Sequence, residues 1–154
     1  IKAYWRNFSL NGNGLRFKYP SMWCWDSKDC RNLYVVNYED VIFIGQKATG
    51  NIDGQYIEPI LPIYYVDNVD QDDAEKYLKN KYEPSEAISW TADKNNPEVK
   101  VASVVSPARI YASYSKEIRT MVFFSLPLAC LFDCQIDKDV INSIEVDGVK
   151  VYQE

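Results

Sequence analysis

A chain of 154 residues with an apolar fraction of 47% is long enough to bury about two-thirds of its unfolded surface and too apolar to stay disordered. Its net charge of −5 is spread evenly, with 8 basic and 11 acidic residues over 1–77 and 9 and 11 over 78–154, so the basic patch of a nucleic-acid or anionic-membrane binder is missing. There is no histidine, which excludes Ser-His-Asp and Cys-His nucleophile pairs, His bases and every His-containing metal site.

In chain order, residues 5–10 and 14–19 read as two strands joined by the turn Asn11-Gly12-Asn13-Gly14, since Asn and Gly tolerate positive φ. Leu15, Phe17 and Tyr19 alternate with Arg16 and Lys18, the period of a strand with one buried face. Pro20 removes a backbone donor and ends the ladder, and Trp23 stands just beyond as an apolar anchor. Residues 23–31 read as a polar loop holding Cys24 and Cys30. The β-branched and aromatic runs 32–37 and 41–46 read as strands, 49–54 as an exposed loop, and 59–66 as a strand near a sheet edge, because it contains Pro59 and Pro62.

Residues 70–81 are the clearest helix. Asn68 or Asp70 can cap it, acidic residues crowd its first turn, and Lys76, Lys79 and Lys81 follow in its last turns. Ala74, Tyr77, Leu78 and Tyr82 supply its apolar stripe. Strands are expected at 86–91, 99–105, 108–114 and 118–125, then a short helix near 136–143 with Ile136, Val140 and Ile141 on one side. Asp147-Gly148 between alternating apolar residues predicts a closing hairpin with a type I′ turn. No apolar run approaches the roughly 20 residues that span a bilayer; the longest, 121–132, is broken by Ser125 and Pro127. With no internal repeat or linker, the reading is one α+β domain over 1–154, an antiparallel sheet with at least one long helix on a face.

The stretch Gly14-Leu15-Arg16-Phe17-Lys18-Tyr19-Pro20-Ser21-Met22-Trp23 resembles the start of PsbP-like domains, found in an extrinsic photosystem protein and in small bacterial lipoproteins. The acidic-headed helix and the closing segment Ile136-Asp137-Lys138-Asp139-Val140-Ile141-Asn142-Ser143-Ile144 are similar to that family as well. The four cysteines and the segment 123–134 depart from it. The resemblance implies an antiparallel sheet flanked by helices, an α/β/α sandwich, and an accessory or binding role with no shared catalytic residues.

Cys24 and Cys30, and Cys130 and Cys134, are spaced for two local disulfides, each closing a short loop worth about 2 kcal/mol or less. A four-cysteine zinc site lacks the C-x-x-C knuckle, and free, partly buried thiols are the third reading. Disulfides would place the domain outside the cytoplasm, in a periplasm, at a cell surface or secreted. The acidic run Asp67, Asp70, Asp72, Asp73 and Glu75 lacks the spacing and glycine of a calcium loop, and capping explains it. Ser113-Tyr114-Ser115-Lys116 matches the S-x-x-K of acyl enzymes without companion motifs and at a strand end. Asn7-Phe8-Ser9 is a formal glycosylation sequon, unusable if the first strand is buried.

Trp5, Trp23, Trp25 and Trp90 could line a groove with Tyr64, Tyr65, Tyr111 and Tyr114, although aromatics on strands are more often core. In Trp23-Cys24-Trp25, neighbours on an extended chain face opposite ways, so a buried Trp23 leaves Trp25 either exposed or covered by the Cys24–Cys30 loop, and Trp25 is the best single candidate for a contact residue. The function expected is a non-enzymatic extracytoplasmic accessory or binding protein, with a carbohydrate- or small-ligand-binding module as the alternative. No catalytic residue, metal or cofactor is expected, and the partner is an unknown protein or small ligand. The first residue is Ile1; a cleaved signal peptide, a trimmed lipoprotein leader with a lipid anchor, or a deliberately shortened chain would each explain that.

Overall fold

The computed structural model describes residues 4–10, 14–24, 30–38, 40–47, 57–126 and 138–153. Two antiparallel sheets dominate them. The smaller has the strand order β1 (Trp5–Leu10), β2 (Leu15–Pro20), β11 (Glu145–Val146), β12 (Val149–Lys150). The larger has eight strands in the order β3 (Met22–Cys24), β4 (Cys30–Tyr38), β5 (Val41–Lys47), β6 (Ile57–Val66), β10 (Thr120–Leu126), β9 (Ala108–Ser115), β8 (Val99–Ser106), β7 (Thr91–Ala92). Two helices lie among the described residues, α1 (Gln71–Tyr82) and the short α2 (Lys138–Ser143).

This corrects the expected sheet flanked by helices. One face of the large sheet is covered by α1, with Ala74 and Leu78 packed on Ile110, Met121 and Phe123. The other face is covered by the second sheet, and the core between them joins Leu15, Phe17 and Val146 to Ile42, Ile63, Val122 and Phe124. The first hairpin does not continue into the middle strands. It pairs instead with the last one, through Arg16 opposite Glu145.

The opening motif is the corner where the chain changes sheet. Pro20 ends β2, and Ser21 then belongs to both layers. Its N–H donates to the Tyr4 carbonyl (2.7 Å), its Oγ accepts from the Tyr4 N–H (3.1 Å), and its carbonyl accepts from the Leu33 N–H of β4 (3.0 Å). Strands that pass between packed sheets commonly do so at such a bend.

Three further expectations are corrected. Residues 23–24 and 30–31 are strand rather than loop, and Cys24 and Cys30 are directly opposite one another across β3–β4. Strand β6 is central, between β5 and β10, despite its two prolines. Pro59 sits at a register shift against Ile44/Gly45, where the ladder is already broken. Pro62 is tolerated because the Tyr65 N–H points toward the β5 side, to the Asp40 carbonyl, so position 62 faces the β10 side, where pairing stops at Tyr64. Residues 86–90 form no strand; Ile88 simply packs under α1, and only Thr91–Ala92 joins the sheet.

Local signals hold elsewhere. Asp70 caps α1, its carboxylate accepting from the Asp73 N–H at 2.8 Å, and Glu83 closes the helix in the left-handed region. Asp147 and Gly148 take φ of 50° and 79°, as the type I′ turn of the last hairpin requires. Strands β9 and β10 are buried on both faces.

Candidate functional site

The outer face of the small sheet is polar by alternation. Leu15, Phe17 and Tyr19 of β2 turn inward, which leaves Arg16 and Lys18 outside. Cross-strand register then sets their neighbours: Ser9, Arg16, Glu145 and Lys150 form one row across all four strands, and Asn7 stands opposite Lys18 in the next. The short α2 lies against β2 where β11 stops. There Ser143 takes the place of a strand, its Oγ accepting from the Lys18 N–H at 3.0 Å and lying 3.2 Å from the Lys18 carbonyl. The α2 side chains Asp139 and Asn142 close the other wall. The result is an open polar cleft of about 510 Å³.

Trp5 is two residues before Asn7, hence on this same face, and is 44% exposed. Lys18 Nζ lies 5.0 Å from its ring centroid, a cation–π contact that links the aromatic to the cleft. Arg6 stacks similarly over Tyr4 at 5.1 Å, and the Tyr4 hydroxyl that its guanidinium donates to raises the Arg6 pKa. A smaller cavity of about 230 Å³ lies beside Asp67 and Thr120, which are joined by a 2.8 Å hydrogen bond from the Thr120 hydroxyl.

The side chain of Trp25, the contact residue expected from sequence, lies outside the described residues, as do Cys130 and Cys134. Cys30 is disulfide-bonded, and Cys24 is described by its backbone alone. Ser113 is fully buried between the sheets, within 3.4 Å of the Lys150 carbonyl, while Lys116 is exposed, so the S-x-x-K pair is not assembled. The acidic run is dispersed among separate partners: Asp70 on the α1 cap, Asp67 on Thr120, and Glu75 on the Trp90 indole N–H (3.0 Å) and on Lys79 (3.4 Å). Among the described residues no three His, Cys, Asp or Glu side chains converge on a point that could hold a metal.

Most of the aromatics belong to packing. Tyr111 and Tyr114 are buried, and Trp23, Trp90, Tyr64 and Tyr65 are half-buried. Beneath α1, Phe123 stacks on Tyr64 and meets Tyr77 and Tyr82 edge-on; burial pushes the Tyr82 phenol up to about 12. Trp5, one of the groove candidates of the sequence but not its chosen contact residue, is the exposed tryptophan of the described residues. Its signal was present: in Trp5-Arg6-Asn7-Phe8-Ser9-Leu10, Phe8 and Leu10 claim one face, which leaves Trp5 with Asn7 and Ser9 on the other. The Asn7 sequon likewise sits on an exposed edge strand rather than a buried one.

No family model, no curated protein and no solved structure matches the chain. The likeness to PsbP-like domains rests on the sequence motif.

Proposed function

We propose that this chain is a non-enzymatic binding domain that works outside the cytoplasm, and that it holds a small polar ligand in the cleft on the small sheet. The observation behind the proposal is the cleft itself. Its volume of about 510 Å³ is in the range of small-molecule sites, roughly 300–1,000 Å³. Its lining mixes cations, carboxylates, amides and two hydroxyls, with an exposed tryptophan alongside. Such a lining recognises hydroxyl- and charge-bearing molecules rather than apolar ones. Titration of isotope-labelled protein with a panel of sugars, amino acids and carboxylic acids tests it. Amide shifts should cluster at Arg16, Lys18 and Glu145. Shifts confined to other faces relocate the site, and turnover of any panel member overturns the non-enzymatic reading.

The compartment is proposed from the cysteines. Opposed residues of an antiparallel pair have Cα atoms about 4.5–5.5 Å apart, within the span that a disulfide needs. Cys24 is the direct opposite of Cys30, so a Cys24–Cys30 bridge is proposed, closing its own hairpin, with Cys130–Cys134 as a second local loop. Non-reducing peptide mapping should recover a Cys24–Cys30 peptide, and reduction should cost about 2 kcal/mol without unfolding the chain. Four free thiols in protein recovered from an oxidising compartment would sink both the pairing and the location. No helix among the described residues is long and apolar enough to cross a membrane.

A further inference from the structure

We infer that the cleft takes a carboxylated sugar, with the carboxylate on Arg16 and the sugar ring against Trp5; this deepens the binding reading above and rests on it. Across an antiparallel sheet, opposite charges on directly facing residues are close enough to pair. Glu145 faces Arg16 on one side and Lys150 on the other, yet no ion pair joins it to either. The guanidinium of Arg16 therefore keeps both arms of its fork for an incoming group, and a planar carboxylate matches that fork with two parallel hydrogen bonds.

Charge balance narrows the class. Arg16, Lys18 and Lys150 outnumber Glu145 and Asp139 around the cleft, a local excess of +1 (3 − 2) in a chain whose net charge is −5. A neutral sugar has no use for that excess. A phosphate, carrying close to two negative charges, would be set against the central Glu145. One carboxylate per sugar unit fits between these extremes. Glu145 then serves as an acceptor for ring hydroxyls, and Asn7 and Ser9, which share the outer face with Trp5, can both donate and accept. Trp5 supplies a flat apolar surface for the C–H face of the ring, and the Lys18 ammonium lies over one face of that indole.

The test is NMR titration and calorimetry with trigalacturonate and, in parallel, its neutral counterpart galactotriose. Trigalacturonate should bind saturably, shifting the Arg16 Nε–H and the Trp5 indole N–H, and should weaken as salt is raised. Arg16→Gln should lose about tenfold in affinity, and Arg16→Lys, which keeps the charge but not the fork, about half of that on a logarithmic scale. Glu145→Gln should strengthen trigalacturonate binding about threefold by removing a like charge, with no such gain for galactotriose. Both sites are on the cleft's surface, and a circular dichroism melt of each of the three variants confirms that the fold is kept. Equal affinity for both oligosaccharides, indifferent to Arg16→Gln, overturns the carboxylate while leaving the cleft as the site. Absence of any saturable shift at the cleft with either sugar overturns this inference, and the panel titration above decides the cleft reading separately.

Discussion

Phe123→Ala should cost about 3–5 kcal/mol of stability, with the loss localised to the layer under α1. Phe123 is 0% exposed, on the central strand β10, and its ring is the hub on which the helix rests. It stacks on Tyr64 at 5.1 Å and meets Tyr77 and Tyr82 edge-on at 5.8 and 5.9 Å. Truncation loses both the transfer energy of the ring and the contacts of its neighbours, and these neighbours are poorly placed to collapse into the void. Tyr77 is tied by its hydroxyl to Asp40 at 3.3 Å, and Tyr64 is covered by Lys81, 4.2 Å from its centroid. Urea denaturation gives the magnitude, and amide exchange gives the location. Amides of α1 should lose protection first while those of β2 keep theirs. A loss under about 1 kcal/mol, or fraying that starts in the small sheet, would show that Phe123 is not what seats the helix.

How far the fold could be read in advance depends on whether the information is local. The first hairpin shows in the alternation of 15–19, α1 in its caps and charges, and the last hairpin in Asp147-Gly148; each of these signals acts over fewer than about five residues. The second sheet is different. Its defining pairing sets Arg16 opposite Glu145 from the far end of the chain, beside the Lys18–Ser143 bond between residues 125 apart, and no local propensity specifies a partner at that distance. Without that pairing, the middle strands and α1 suggest a single sheet with helices on its faces, the arrangement the structure replaces with sheet on sheet. Prolines misled for a related reason. Pro59 and Pro62 argue for an edge strand, and their accommodation by a bulge and by an early end to the β10 pairing is visible only in the register.

The candidate site was legible in its parts and hidden in its assembly. Arg16 and Lys18 are outward on any reading of β2, but Asp139, Glu145 and Lys150 arrive from the far end of the chain. Trp25 stands out in the sequence only through its neighbour Trp23, whereas the exposure of Trp5 follows from the alternation of β1, on which Phe8 and Leu10 are the inward pair.

Phe124→Ala, one residue further along β10, should cost a similar amount, about 3–5 kcal/mol, but from the opposite layer. Successive strand residues face opposite ways, so Phe124 points into the core between the sheets, where it is 0% exposed and contacts Tyr111 at 5.8 Å. Tyr111 in turn meets Tyr152 at 4.8 Å, just beyond the closing hairpin. The void therefore opens beneath the strands that hold the proposed cleft. Protection should fall first in β2, β11 and β12, with α1 unaffected, the reverse of the pattern for Phe123→Ala. Ligand binding should separate the two as well. The small sheet is positioned through this core, so Phe124→Ala should weaken any cleft ligand at temperatures where the chain remains folded, and Phe123→Ala should leave its affinity within about twofold. Because the two rings occupy separate cores, their costs should add to about 6–10 kcal/mol, comparable with the whole stability of an ordinary domain, and the double variant should not fold. A double variant that melts cooperatively near either single one would show instead that the two layers share one packing unit, and the sheet could not then be treated as a wall between them.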